Sequence, residues 1–193
     1  MKKWMPMTAL TTSGLLGLFL VAASGTYRTA RAADGEKKMQ STRADFNEFC
    51  QIMEGRWLGD VIWVTDWQGF GKKGDKVSAY QEWKIGEDGH VLLGRFYGGP
   101  GSGTILVHYD AGARQIQSRA IFSGGNVFNE VIYKQDGNWH YEIAGSMVDG
   151  KKITGSTIRH LSDGGKTHRW TGTIMIDGKP LDPLRDVWRR IGD

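Results

Sequence analysis

Two hydrophobic periods divide this chain, and the change from one to the other falls near residue 55. Over residues 44–54, apolar side chains recur every three or four positions, which predicts one short amphipathic helix. Ser41 or Thr42 is placed to cap its first turn, and Gly55 is placed to end it. The apolar positions of this predicted helix are Phe46, Phe49, Cys50, Ile52 and Met53.

From residue 55 onward, apolar and polar side chains alternate, which is the period of a strand with one buried face. Trp139, Tyr141 and Ile143 share one face of such a segment. His140 and Glu142 take the other face. The pattern recurs to the end of the chain and allows ten strands to be drawn, over residues 57–66, 76–85, 90–97, 104–109, 115–122, 126–134, 138–147, 152–161, 167–176 and 183–191.

Turn signals separate these strands at intervals of 11 to 14 residues. Most are Asp-Gly or Gly-Gly pairs, which supply the positive φ angles that tight hairpins need. No connection is long enough for a crossover helix, so successive strands must be antiparallel. A meander of this length avoids exposed edges most simply by closing. The sequence therefore predicts an all-β fold, a closed antiparallel up-and-down barrel of 8–10 strands over residues 55–191, with one short N-terminal helix at 44–54.

The first 32 residues have the features of a signal peptide, and residues 33–43 those of a flexible linker before a domain at 44–193. A basic start at Lys2 and Lys3 precedes a short apolar run, and Ala30-Arg31-Ala32 offers a cleavage site. Cleavage would make the protein periplasmic or secreted; without it, the segment would be an N-terminal membrane anchor. The leader holds four basic residues and no acidic ones, so its loss takes the net charge from +4 to zero. A neutral mature chain has no global attraction to nucleic acid or to an anionic membrane.

The reactive side chains of the sequence form no recognisable catalytic motif. Cys50 is the single cysteine, which excludes an internal disulfide and a Cys-x-x-Cys site. The five histidines form no closely spaced metal-binding pair, and Gly-x-Ser-x-Gly is absent. Residues 98–103 are rich in glycine, but a strand rather than a helix follows them, so they predict a flexible rim loop and not a phosphate site. We therefore predict no catalytic residues, no metal site and no cofactor.

The ends of the predicted barrel carry a family resemblance. Gly55-Arg56-Trp57 opens the first strand after a helix, and Arg189-Arg190 lies near the end of the last strand. This arrangement resembles the lipocalins and the wider calycin group, in which the tryptophan plugs one end of the barrel and a late arginine packs on it. Together with Gly94-Arg95-Phe96 and Tyr109-Asp110, it is most similar to bacterial DUF1579-type proteins. That calycin-like family has no agreed activity, so the resemblance implies a barrel closed by Gly55, Trp57 and Arg189 or Arg190.

The interior of the predicted barrel is the candidate ligand-binding site. Aromatic side chains would line it, and Arg95 would anchor an acidic group if it shares an inward face with Val91 and Leu93. The segment around Trp67, rich in glycine and lysine, is either an entrance lid or an exposed hairpin. The candidate residues are Trp63, Trp83, Arg95, Phe96, Asn129, Trp139, Tyr141 and Trp170.

These patterns favour an exported barrel that binds a small, partly apolar or acidic molecule. Two other classes stay open. One is a haem- or metal-dependent enzyme, in which His108, His160 or His168 would hold the group. The other is a structural or interaction module whose interior is filled by its own side chains.

Overall fold

The fold is taken from a computed structural model that describes residues 39–193. The predicted signal peptide and the linker as far as residue 38 lie outside the described residues. The last part of the predicted flexible linker is packed against the barrel. The backbone N–H of Ser41 donates to the carbonyl of Arg114 at 2.8 Å, and its hydroxyl donates to the carbonyl of Ile132 at 3.0 Å.

Helix α1 spans Arg43–Met53, one residue earlier at each end than predicted. Thr42 is its N-cap, and Asp45 completes a reciprocal capping box. Such a cap contributes about 1 kcal/mol because it satisfies amides that the first turn leaves free. The apolar face of α1, with Phe46 and Met53 fully buried, covers one end of the barrel.

Eleven strands follow in the described part of the chain, and all neighbouring pairs are antiparallel. No helix in residues 39–193 is long and apolar enough to cross a bilayer. The strands are β1 (Gly55–Ile62), β2 (Lys76–Gly86), β3 (Val91–Gly98), β4 (Gly101–Asp110), β5 (Gln115–Phe122), β6 (Val127–Gln135), β7 (Asn138–Ser146), β8 (Lys152–Ser162), β9 (Thr167–Ile176), β10 (Lys179–Pro180) and β11 (Leu184–Gly192).

Each strand from β1 to β9 pairs with the next, and β11 joins β9 to β1. Ten strands thus close into a barrel, while the two-residue β10 pairs only with the end of β9. The predicted all-β, closed up-and-down barrel is confirmed. Asp-Gly pairs form the predicted tight hairpins, as at Asp136-Gly137, where φ is 50° and 75°.

Glycines on the inner face make room for large rings. A side chain at Gly94 would collide with the ring of Trp83, and one at Gly59 with the ring of Trp188. Gly101, which was expected in a flexible rim loop, lies instead in β4, directly under the ring of Phe70. The prediction of a rim loop over residues 98–103 was therefore wrong, because these glycines serve packing as well as turning.

The segment 63–75, which we call the lid, closes the end of the barrel opposite α1. The backbone N–H of Trp63 donates to the carbonyl of Asp75 at 3.0 Å, so the segment is held as a loop. Phe70, only 5% exposed, points down into the barrel, and its ring centroid lies 5.5 Å from that of Phe122. The segment therefore covers this end of the barrel through Phe70, while Lys72 and Lys73 are exposed. Its role as an entrance lid stays a prediction.

Candidate ligand-binding site

A cavity of about 130 Å³ lies inside the barrel, between the lid and the middle layer of side chains. An engineered apolar cavity of about 150 Å³ is large enough for benzene, so this space suits a molecule of similar size. Most of the lining is aromatic or aliphatic. Its aromatic rings include Trp63, Phe70, Phe96, Phe122, Phe128 and Trp188.

Three charged residues also line this cavity. Glu130, Arg159 and Asp186 come from β6, β8 and β11, so they reach it from separate parts of the barrel wall. Arg159 is 3% exposed and Asp186 is 6% exposed. None of the ion pairs within the described residues involves any of the three. A buried arginine without a direct carboxylate partner is unusual, because removing a charge from water carries a large free-energy cost.

The guanidinium of Arg159 is held in a fixed position. Its ring neighbours are Tyr141 and Trp170, whose centroids lie 5.4 and 5.5 Å from its Cζ. Its Nη1 lies 3.0 Å from Nε2 of His168 and 3.2 Å from the sulfur of Met53. Its Nε has no hydrogen-bond partner among residues 39–193. One edge of the guanidinium is therefore engaged by the protein, while the Nε donor is not.

Other polar atoms of the cavity lining are unpaired as well. The indole N–H groups of Trp63 and Trp188 are buried and make no hydrogen bond within the described part of the chain. The hydroxyl of Ser118 lies against Glu130, and that of Tyr141 lies against Arg159. Each buried polar group that lacks a partner costs about 1–3 kcal/mol. With the Nε of Arg159, the residues of the lining therefore hold three buried N–H donors that have no partner among residues 39–193.

Burial shifts the protonation of the groups that line the cavity. It raises the pKa of Asp186 to about 7, although the backbone of Ile62 and the charge of Arg159 oppose the shift. It also raises the pKa of Glu130, while the hydroxyl of Ser118 and then the charge of Arg159 act in the opposite direction. The pKa of Tyr141 is raised to about 12, chiefly by burial. Both carboxyl groups therefore hold their protons to a higher pH than in water.

His168 lies on the side of Arg159 nearer to α1. Burial, followed by the charges of Arg159 and Arg190, lowers its pKa well below the ordinary value. The imidazole is therefore neutral and can accept a hydrogen bond from Arg159. Its ring centroid lies 4.5 Å from that of Trp57.

Five of the predicted aromatic residues line the cavity, and one does not. The ring of Trp139 is fully buried and packs edge-on against Phe49 of α1, at a centroid distance of 5.0 Å. It belongs to the closed end of the barrel and not to the cavity. The five that line the cavity are Trp63, Trp83, Phe96, Tyr141 and Trp170.

Arg95 and Asn129 were wrong as interior polar anchors. Both are exposed on the outer face, where Arg95 donates to the hydroxyl of Thr104. Successive side chains of a strand point to opposite faces, so Arg95 cannot point inward while Phe96 does. In the same way, Asn129 points outward because its neighbour Glu130 faces the cavity.

The predicted barrel-closing contact involves one of the two candidate arginines. The Cζ of Arg190 lies 4.5 Å from the ring centroid of Trp57, and its Nη2 donates to the carbonyl of Ile52 at 2.7 Å. Gly55 has a φ of 110°, and a side chain there would collide with Arg190. Arg189 points away from this contact and pairs with Asp60 on the exposed surface at 2.8 Å.

The three histidines of the haem or metal alternative do not converge. His168 is inside the barrel, whereas His160 is exposed and lies 3.1 Å from the hydroxyl of Thr171. His108 is on the outward-facing side of β4. Within residues 39–193, no group of three or more His, Cys, Asp or Glu side chains is placed to hold a metal ion.

Sequence reasoning missed Arg159, Asp186 and Ser118. A signal for two of them was present in the alternation of their own strands. Arg159 has the parity of Ile153 in β8, and Asp186 has the parity of Trp188 in β11. An inward face read from the large apolar residues of each strand would have placed both side chains in the interior.

Comparisons with known proteins add little to this geometry. No protein-family model matches the chain, and no curated protein matches it. Among solved structures, the chain is similar to one described as "a putative outer membrane protein" from Bacteroides fragilis NCTC 9343. The identity is 9%, the match covers 73% of this chain and 98% of that chain, and the TM-score is 0.22. A likeness at this identity and TM-score indicates nothing about function. The resemblance to DUF1579-type proteins stays a prediction.

Proposed function

We propose that this protein is an exported binding protein that holds a small, partly apolar, acidic molecule inside its barrel. The observation that carries the proposal is the combination of a cavity with Arg159, whose Nε is buried and unpaired. A ligand oxygen at this donor would satisfy a group that otherwise costs free energy in the folded state.

The size of the cavity limits the ligand. At about 130 Å³ it lies below the roughly 300–1,000 Å³ of sites for drug-sized molecules. A compact acid with a ring or a short branched body fits this space, whereas a long acyl chain does not. The aromatic lining favours the apolar part of such a molecule through burial and ring contacts.

The lid provides the access route in this proposal. The cavity has α1 at one end and the lid at the other, and in this proposal the ligand enters at the lid end. The lid has the fewer ties, being held by loop hydrogen bonds and by the ring of Phe70. Its lysines do not face the cavity, because Lys72 pairs with Asp66 and Lys73 with Asp182 on the outside.

The outer wall carries both charged and apolar side chains. Lys84, Arg119 and Arg169 point outward from the strands, and so do Leu58, Leu93 and Ile121, which are 43–53% exposed. In this proposal, cleavage of the predicted signal peptide makes the protein periplasmic or secreted.

The proposal is tested by binding of small acids to the wild type and to two arginine variants. Benzoate and isobutyrate are titrated into the protein while chemical shifts and tryptophan fluorescence are recorded. We expect saturable binding, weakened at least tenfold by Arg159→Met because the charged hydrogen bond contributes about 1.5–3 kcal/mol. Arg95→Met is the matched control, since Arg95 is exposed on the outer face, and we expect it to bind as the wild type does.

One observation favours a second candidate function. The cavity is small, and most of the interior is filled by the protein's own aromatic rings. This suits a structural or interaction module that acts through its loops and outer surface. If neither benzoate nor isobutyrate binds, or if both bind equally well to Arg159→Met, the acidic-ligand proposal is wrong and this second function is favoured.

A further inference from the structure

The charged groups around the cavity are unbalanced toward the acidic side. Glu130 and Asp186 face it with Arg159 as the one cation among the described residues that line it. The other titratable groups that face the same interior are Tyr141 and His168, both neutral near pH 7. With both carboxyl groups ionised, an anionic ligand would therefore enter a site that already carries net negative charge.

Within residues 39–193, the remaining walls of the cavity supply no compensating cation. The inward positions of β1 to β5 that line the cavity are apolar or carry only the neutral Gln81 and Ser118. Arg190 lies at the closed end, stacked on Trp57 and bonded to carbonyl groups there. In an interior of low dielectric constant, like charges that share a cavity repel strongly. Protonation of one carboxyl group removes this repulsion.

We propose that the barrel takes up a compact carboxylate together with one proton, the carboxylate binding at Arg159 and the proton remaining on Asp186. This inference rests on the proposed function and adds the substrate class and its linkage to pH. The net charge is balanced, because one carboxylate and one proton leave water together and the interior gains no net charge.

The protonation of the free site supports this linkage. Burial places the pKa of Asp186 at about 7, so near neutral pH the group exchanges its proton readily with solvent. An anion at Arg159 removes the positive charge that favours ionised Asp186, and this raises the pKa further. By linkage, affinity for the acid is greatest at low pH and falls up to about tenfold per pH unit above 7.

Isothermal titration of benzoate into the wild-type protein tests the inference. Titrations in phosphate and in Tris between pH 6 and 9 separate the heat of binding from that of buffer ionisation. We expect uptake of close to one proton per benzoate at pH 8, with affinity falling as the pH rises. Asp186→Asn should abolish most of the uptake and bind benzoate about tenfold more tightly than the wild type at pH 8, because Asn resembles protonated Asp.

Asp60→Asn is the matched control, because Asp60 is exposed and pairs with Arg189 on the outer surface. It should retain the uptake and the pH profile of the wild type. Should Asp186→Asn not fold, the two-buffer comparison on the wild type decides alone. Saturable benzoate binding without proton uptake, or with proton release, overturns this inference and leaves the proposed function standing. Absence of binding by both benzoate and isobutyrate at every pH overturns the inference and the proposed function together.

Discussion

Asp186 and His168 lie inside the same barrel, and burial moves their pKa values in opposite directions. The pKa of Asp186 is raised to about 7, so between roughly pH 4 and 7 the folded protein keeps a proton that the unfolded chain has lost. This contribution to stability is lost as the pH rises. The pKa of His168 is lowered, so below about pH 6.5 the unfolded chain binds a proton that the folded protein does not. Stability from this group is lost as the pH falls.

The Asp186 contribution can be isolated with one variant. Asp186→Asn removes the titration, so its free energy of unfolding should rise relative to that of the wild type between pH 4 and pH 8. We expect a relative change on the order of 3 kcal/mol, measured by urea denaturation at several pH values. Asp60→Asn, on the exposed surface, should follow the wild-type curve. Parallel profiles for Asp186→Asn and the wild type would show that Asp186 is not held protonated.

At the residue scale, the sequence predicts which aromatic side chains face the interior better than it predicts which polar residue would bind the ligand. Arg95 was favoured because Val91 and Leu93 share its parity, but the inward residues of β3 are Leu92 and Phe96. Gly94 lies between those two and carries no side chain, which hides the inward pattern. The inward face of β3 can be assigned only from the structure, in which the ring of Trp83 on the neighbouring strand fills the space above Gly94.

At the scale of elements, strands and hairpins could be predicted because their signals are local. The lid could not. Trp63 continues the alternation of β1, so the predicted strand ran on to Asp66, whereas the observed strand ends at Ile62. β1 ends at Ile62 because of tertiary contacts, since the rings of the lid pack on glycine-lined walls contributed by distant strands and turns. The local alternation of apolar and polar residues does not reveal such contacts.

The contact between the lid and Gly124 gives a testable prediction. A side chain at Gly124 would overlap the carbonyl oxygen of Gln68, so Gly124→Ala should displace the lid from a position that does not itself line the cavity. We expect faster hydrogen exchange at the amides of Phe70 and Gly71, which are bonded to the Trp67 carbonyl.

Gly112→Ala is the matched control for the lid experiment. Its added carbon would meet only the flexible carboxylate of Asp110, at 3.3 Å, and its backbone needs no positive φ. Lid amides that exchange at the same rate in Gly124→Ala as in this control would show that the lid does not rest on Gly124.

At the scale of the whole molecule, closure of the barrel depends on the pairing of its first and last long strands. β1 and β11 pair from Arg56 to Asp60 with a register shift between Arg56 and Trp57, and Arg190 ties this seam to the end of α1. Its guanidinium stacks on Trp57 and also donates to the carbonyl oxygens of Ile52 and Glu54. One side chain thus joins three parts of the fold that are distant in sequence.

Neighbouring arginines allow this role to be measured. Arg190→Ala removes the stacking and leaves the part-buried carbonyl of Ile52 unpaired, so we expect a loss of about 2 kcal/mol in the free energy of unfolding. Arg189→Ala removes only an exposed ion pair with Asp60 and should cost less than about 1 kcal/mol. Equal losses in urea denaturation would show that Arg190 does not close the barrel.

The location of a bound acid tests the account most directly. Isobutyrate labelled with ¹³C in its methyl groups is added to the protein, and nuclear Overhauser effects between ligand and protein protons are recorded. Contacts with Tyr141, Trp170 and Ile174, all of which line the cavity, are the result we predict. Contacts confined to the outer face, as at Leu93 and Leu106, or none at saturating isobutyrate, would contradict an acid-binding interior.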